Sequence, residues 1–148
     1  MARKAENLIV AVVVLTLCAA SASAEIIEIG LTDNVTYIDD QGGLLGGQIA
    51  IGDIITGSYT YDTSTPDSNP LSTVADYVHS SPPYGVSLSV CGFTFQSDPD
   101  NPYFLIEILN DHTGMDGYLF RSYKNLPLPN GLEVDHISWQ LQYRASAA

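Results

Sequence analysis

Three histidines, a lone turn cysteine and a surplus of carboxylates are the residues of this 148-residue chain that could do chemistry. The imidazoles are His79, His112 and His136, and two of them follow aspartates, as Asp111-His112 and Asp135-His136. Such pairs suit proton transfer or zinc ligation only where both side chains reach one point. Adjacent strand residues point to opposite faces, however, and no spacing of histidine with Cys91 matches a zinc signature. No Gly-x-Ser-x-Gly elbow offers a serine nucleophile. Nothing in the pattern singles out two carboxylates for glycoside hydrolysis. The sequence names no catalytic and no cofactor-binding residue.

Calcium is the better metal expectation. Ser97-Asp98-Pro99-Asp100-Asn101 and residues 111–116 place hard oxygen ligands on loops. Asp98, Asp100, Asp111 and Asp116 are the candidate ligands, expected to converge at one end of the sheets. Asp and Asn also hydrogen-bond their own backbone in turns, so ordinary turn chemistry competes with this reading. Tyrosines are plentiful, at positions 37, 59, 61, 77, 84, 103, 118, 123 and 143. Rings presented on one face of a sandwich can stack sugars, yet tyrosine is also a favoured strand residue with a polar tip, and most are expected to be structural.

The elements that must position these residues alternate with period two, and no stretch holds an apolar repeat at helical spacing. In Ile55-Thr56-Gly57-Ser58-Tyr59-Thr60-Tyr61 one face carries Ile55, Tyr59 and Tyr61 and the other Thr56, Ser58 and Thr60, the pattern of a half-buried strand. Val86, Leu88 and Val90 alternate with serines, Cys91-Gly92 supplies a turn, and Phe93-Thr94-Phe95 returns, which reads as a β-hairpin. Further strands are expected over 26–30, 35–38, 48–51, 103–109, 118–123 and 137–141. The count is roughly eight short strands, the spacing of an antiparallel β-sandwich or jelly-roll-like fold. The glycine-rich 41–47 stretch lacks the strand-to-helix context of a phosphate cradle and reads as a turn; residues 63–70 read as a polar surface loop.

Residues 1–24 carry Arg3 and Lys4, an apolar run and a small-residue ending, the order of a signal peptide cleaved after Ala24. Residues 25–148 are then one domain. Removal of the leader takes Cys18 with it and leaves Cys91 without an intramolecular partner, so the fold stands on its core. The whole chain has 17 acidic and 5 basic side chains, a net charge of −12. No basic patch exists to neutralise phosphates, which argues against nucleic acid and anionic membranes as partners. No later run approaches the roughly 18 apolar residues of a membrane span.

The run from Ile54-Ile55-Thr56-Gly57-Ser58-Tyr59 to Ser64-Thr65-Pro66-Asp67, with Gly92-Phe93-Thr94-Phe95 and Val134-Asp135-His136-Ile137-Ser138-Trp139, resembles secreted bacterial proteins bearing a PEP-CTERM sorting signal. The resemblance implies a fold family rather than an activity. It also implies further strands after Trp139, then a Pro-Glu-Pro tripeptide, an apolar helix and a basic tail read by exosortase. The ending Gln140-Leu141-Gln142-Tyr143-Arg144-Ala145-Ser146-Ala147-Ala148 is unlike that continuation. The expectation is a sheet left incomplete at the C-terminus and prone to self-association. Taken together, the residues point to a secreted, non-enzymatic cell-envelope or extracellular-matrix domain with a structural or adhesive role, its partners extracellular polysaccharide or other envelope proteins. A carbohydrate-binding module is the alternative, and an enzyme such as a glycoside hydrolase comes third.

Overall fold

A computed structural model describes residues 25–144; the leader read over residues 1–24 and residues 145–148 lie outside them. Eight strands run in order: β1 (Ile26–Asn34), β2 (Ile54–Asp62), β3 (Val74–His79), β4 (Gly85–Val90), β5 (Phe93–Gln96), β6 (Phe104–His112), β7 (Met115–Ser122) and β8 (Ile137–Arg144). They form two four-stranded antiparallel sheets, ordered β1-β2-β4-β5 and β3-β6-β7-β8. The protein is an all-β sandwich, as the period-two alternation predicts, with no helix among the described residues and hence none long and apolar enough to cross a membrane.

Alternation sets which side chains meet. Directly opposed residues of antiparallel strands share a face, and Ile29↔Tyr59↔Val86 and Leu88↔Phe95 point inward from the first sheet. Tyr77↔Ile106↔Phe120↔Trp139 answer from the second. Tyr59, Val86, Phe104, Ile106, Phe120 and Ile137 form the buried centre. Phe120 lies with its ring centroid 4.9 Å from Tyr59, 5.5 Å from Phe104 and 6.1 Å from Trp139, stacked on the last at 19°. Two hydroxyl pairs tie the sheets: Tyr59 to Tyr118 at 2.9 Å and, in full burial, Ser97 to Ser122 at 2.7 Å, where Ser97 Oγ also accepts the Val86 N–H at 3.0 Å.

The predicted hairpin at Cys91-Gly92 is present, with Val90 facing Phe93 and both turn residues at positive φ, the two-residue geometry that matches strand twist. Three expectations need correction. Residues 35–38 and 48–51 are not strands. After Val35, whose backbone bonds Asp53 and Gly52, the chain makes successive turns, and Asp40 accepts the Leu44 and Leu45 N–H groups at 2.7 and 3.0 Å. Val35, Tyr37, Ile38 and Ile49 line a cleft instead of pairing. The strand that was not expected is β3: Asp76 interrupts its apolar reading because loop residues 67–69 hydrogen-bond it from outside. Last, Ile137 is buried and Trp139 half-buried on one face of the expected 137–141 strand, but Leu141, which the alternation puts on that same face, is 65 % exposed on the edge strand β8.

Candidate functional site

The four expected calcium ligands do not converge. Asp98 and Asp100 precede β6, whereas Asp111 and Asp116 lie at its far end; the eight residues from Phe104 to Asp111 span roughly 20 Å of strand. Each pair has a turn to hold. Asp98 Oδ1 accepts the Asp100 N–H at 2.9 Å, and the Asp98 N–H donates to the Lys124 carbonyl at 2.8 Å. Asp116 Oδ1 accepts the Asp111 N–H at 2.7 Å, steadying a bulge in which Asp111 sits at φ 51° ahead of the tight Thr113-Gly114 turn. Among the described residues no three His, Cys, Asp or Glu side chains gather as a metal-holding group.

The histidines are also dispersed. His79, the last residue of β3, is 2 % exposed between the sheets. Its Nε2 accepts the Asp62 N–H at 3.1 Å and lies 3.0 Å from Thr65 Oγ1, which assigns the proton to Nδ1, 3.2 Å from the Tyr77 carbonyl. Both nitrogens are thus engaged, Nε2 joining β3 to the end of β2 and Nδ1 turning back on the carbonyl of Tyr77 in β3 itself. His112 Nδ1 meets Thr73 Oγ1 at 3.1 Å, and the exposed His136 meets its neighbour Asp135 at 3.4 Å. Cys91 donates its thiol to Asp53 Oδ2 at 3.0 Å; the bond raises the thiol's pKa and lowers the carboxyl's, so the thiolate that reactive cysteines need is disfavoured.

The most site-like surface lies on the outer face of the first sheet. The alternation that turns Tyr59, Val86 and Leu88 inward turns Thr56, Ser58, Thr60, Ser87, Ser89, Thr94 and Gln96 outward, a field of hydroxyl and amide groups bordered on β1 by Glu28, whose Oε1 accepts the Ser58 hydroxyl at 2.7 Å. At one end a groove of about 340 Å³ runs over Ser58, Thr60, Ser87 and Gln96 and is walled by Pro82, Pro83, Tyr84 and Pro99. Tyr84 is fixed from behind: its hydroxyl donates to Asp62 Oδ2 at 3.2 Å and its ring stands edge-on to His79 at 5.1 Å. Burial, then the Asp62 carboxylate, push the Tyr84 phenol up; the Ser64 backbone and hydroxyl bonds, with that of Tyr84 behind them, hold Asp62 below the usual carboxylate range. The pair stays a neutral donor on an ionised acceptor through physiological pH.

No family model, curated protein or solved structure matches the chain. The surface is therefore read from its own chemistry. A second opening of about 290 Å³ between the sheets is lined by Tyr61, Tyr77 and Tyr118 with Ile106 and Ile108. Its phenols serve the structure: burial raises the pKa of both Tyr118 and Tyr59, whose hydroxyls bond each other across the gap. Of the nine tyrosines, Tyr59 is buried, Tyr61, Tyr77, Tyr84 and Tyr118 are half-buried, and Tyr37, Tyr103, Tyr123 and Tyr143 are exposed. They do not share one face. The sequence signal for the groove was the Ser/Thr alternation itself; the Pro82-Pro83-Tyr84 wall carried no signal, because nothing local says that residues 82–84 fold over β4.

Proposed function

We propose that the protein is a secreted, non-enzymatic β-sandwich of the bacterial cell envelope or extracellular matrix, with an adhesive or structural role, and that extracellular polysaccharide meets it on the outer face of the first sheet. The observation that carries this reading is the hydroxyl field beside the Tyr84 groove. Sugars offer both donors and acceptors, and a Ser/Thr/Gln surface with Glu28 at its border answers both, while a chain of net charge −12 repels acidic polymers. Neutral polysaccharide is the matching class. The leader pattern and the resemblance to PEP-CTERM-bearing proteins support an exported location. A carbohydrate-binding module with a defined oligosaccharide site is the second reading, favoured by the groove's wall of Pro82, Pro83, Tyr84 and Pro99.

Two measurements test this. Export predicts Glu25 at the amino terminus of protein recovered outside the cell, read by mass spectrometry; a full-length chain held in the membrane fraction would refute it. Retention on insoluble neutral polysaccharides, with a glycan array alongside, should show saturable binding that falls at least roughly tenfold in Ser87→Ala/Gln96→Ala at unchanged melting temperature, since each lost bond to a sugar is worth about 1 kcal/mol. Release of reducing sugar, or silence on every neutral glycan, would overturn the reading.

A further inference from the structure

Each sheet ends in two strands whose outer N–H and C=O groups lack a partner in that sheet, and such edges are normally blunted. The four edges here differ. At β3 the preceding loop folds back: Ser68 donates its N–H and its hydroxyl to the Asp76 carbonyl at 2.9 and 3.0 Å, and the Asp76 N–H donates to Asp67 Oδ1 at 2.9 Å. β5 is four residues long, and the chain beyond β7 closes on its end, where the Leu126 N–H donates to the Gln96 carbonyl at 3.0 Å and Ser97 bridges Asn125. β1 carries Glu28 outward and Asp33 on its inward-pointing face, a charge that a second strand would have to bury. Only β8 has no such device among the described residues. Its register with β7 is unbroken from Ile137 to Arg144, and residues 137–143 contain no charge and no proline. Leu141 and Tyr143 stand 65 % and 66 % exposed along it.

We propose that β8 pairs with β8 of a second copy, antiparallel, joining the two β3-β6-β7-β8 sheets into one of eight strands. This stands apart from the polysaccharide reading, which uses the other sheet. The symmetry fixes the register closely. Outward-facing backbone groups alternate along an edge, so opposed residues must be an even number apart, and a two-fold axis passes through one residue. Centring on Gln140 uses all of residues 137–143 and sets the exposed Leu141 against the partner's Trp139 and Tyr143 against the partner's Ile137. Ser138 then faces the partner's Gln142, an uncharged and self-complementary polar row. Two chains this acidic repel one another over most of their surface, and β8 is where they approach with no carboxylate on either strand. A single strand pair is a small interface, so the dimer is concentration-dependent.

Sedimentation velocity on the exported protein, from about 1 μM to about 1 mM at roughly 0.15 M salt where surface repulsion is screened, tests it. Monomer–dimer exchange is expected. Gln140 is exposed, so Q140K and Q140E should fold as wild type by circular dichroism; each alone should be monomeric, because like charges oppose at the axis, and their equimolar mixture should dimerise again. A wild type that stays monomeric throughout, or a dimer that survives in both variants, overturns the proposal.

Discussion

Phe120→Ala is expected to cost about 3–5 kcal/mol of folding stability, the range for emptying a buried aromatic site. Phe120 is wholly inaccessible, and its ring is held by Tyr59 from the opposite sheet and by Phe104 and Trp139 from its own neighbours. Phe104 and Tyr59 are rigid rings in strands paired on both sides, Tyr59 also hydrogen-bonded across the sandwich to Tyr118, so they cannot slide in to fill the space. A domain of this size has only about 5–15 kcal/mol in total, so the loss would be a large share of it. Urea unfolding should show a lowered midpoint at unchanged slope. Trp139→Ala, at a half-buried site on the edge strand β8, should cost clearly less; a reversal of that order would mean that the centre of the core lies nearer β8 than the packing places it.

Legibility followed the range of the signal. Val86 to Phe95 announced itself because its alternation and its turn lie within ten residues and both are decided locally, by β-branched residues on one face and a Cys-Gly pair able to take positive φ. β3 did not, because what makes Val74–His79 a strand is distant: β6 supplies its ladder, and His79, which reads as a candidate for chemistry, is a core residue whose polar atoms are answered by Asp62, Thr65 and Tyr77. Residues 35–38 failed in the opposite sense. Their alternation is real, but Asp40 and the glycines that follow divert the chain before any strand can pair with it.

The candidate site divides the same way. The outward hydroxyls of β2, β4 and β5 were visible as the polar half of the alternation, whereas the groove needs residues 82–84 brought over them by a connection between two sheets. The acidic loops show the reverse error: Asp98 and Asp111 look alike in sequence, and only the length of β6 between them separates their fates.

An effect of similar size is expected at Gly57, in the middle of β2. A Cβ built there would run into the carbonyl oxygen of Ser87 and come within 2.8 Å of Leu88 Cα. Both obstacles are backbone of the paired strand β4, so no rotamer change relieves them. To admit one methyl group, β2 must move off β4, and with it Tyr59, which carries the first sheet's contact with Phe104 and Phe120. Overpacking that side chains can absorb costs about 1–3 kcal/mol, and a clash that backbone must absorb lies at or beyond the upper end. Gly57→Ala should therefore lower stability by roughly 3 kcal/mol or more, and its protein should be largely insoluble if the ladder opens. Gly30→Ala is the control: it sits on the neighbouring strand β1, no atom lies within 4 Å of its added methyl, and it loses backbone freedom only in the unfolded chain. That variant should be neutral or gain up to about 1 kcal/mol. Equal stability of the two variants by urea denaturation would show that β2 and β4 are farther apart than this pairing requires, and with them the seat of Tyr59 in the core.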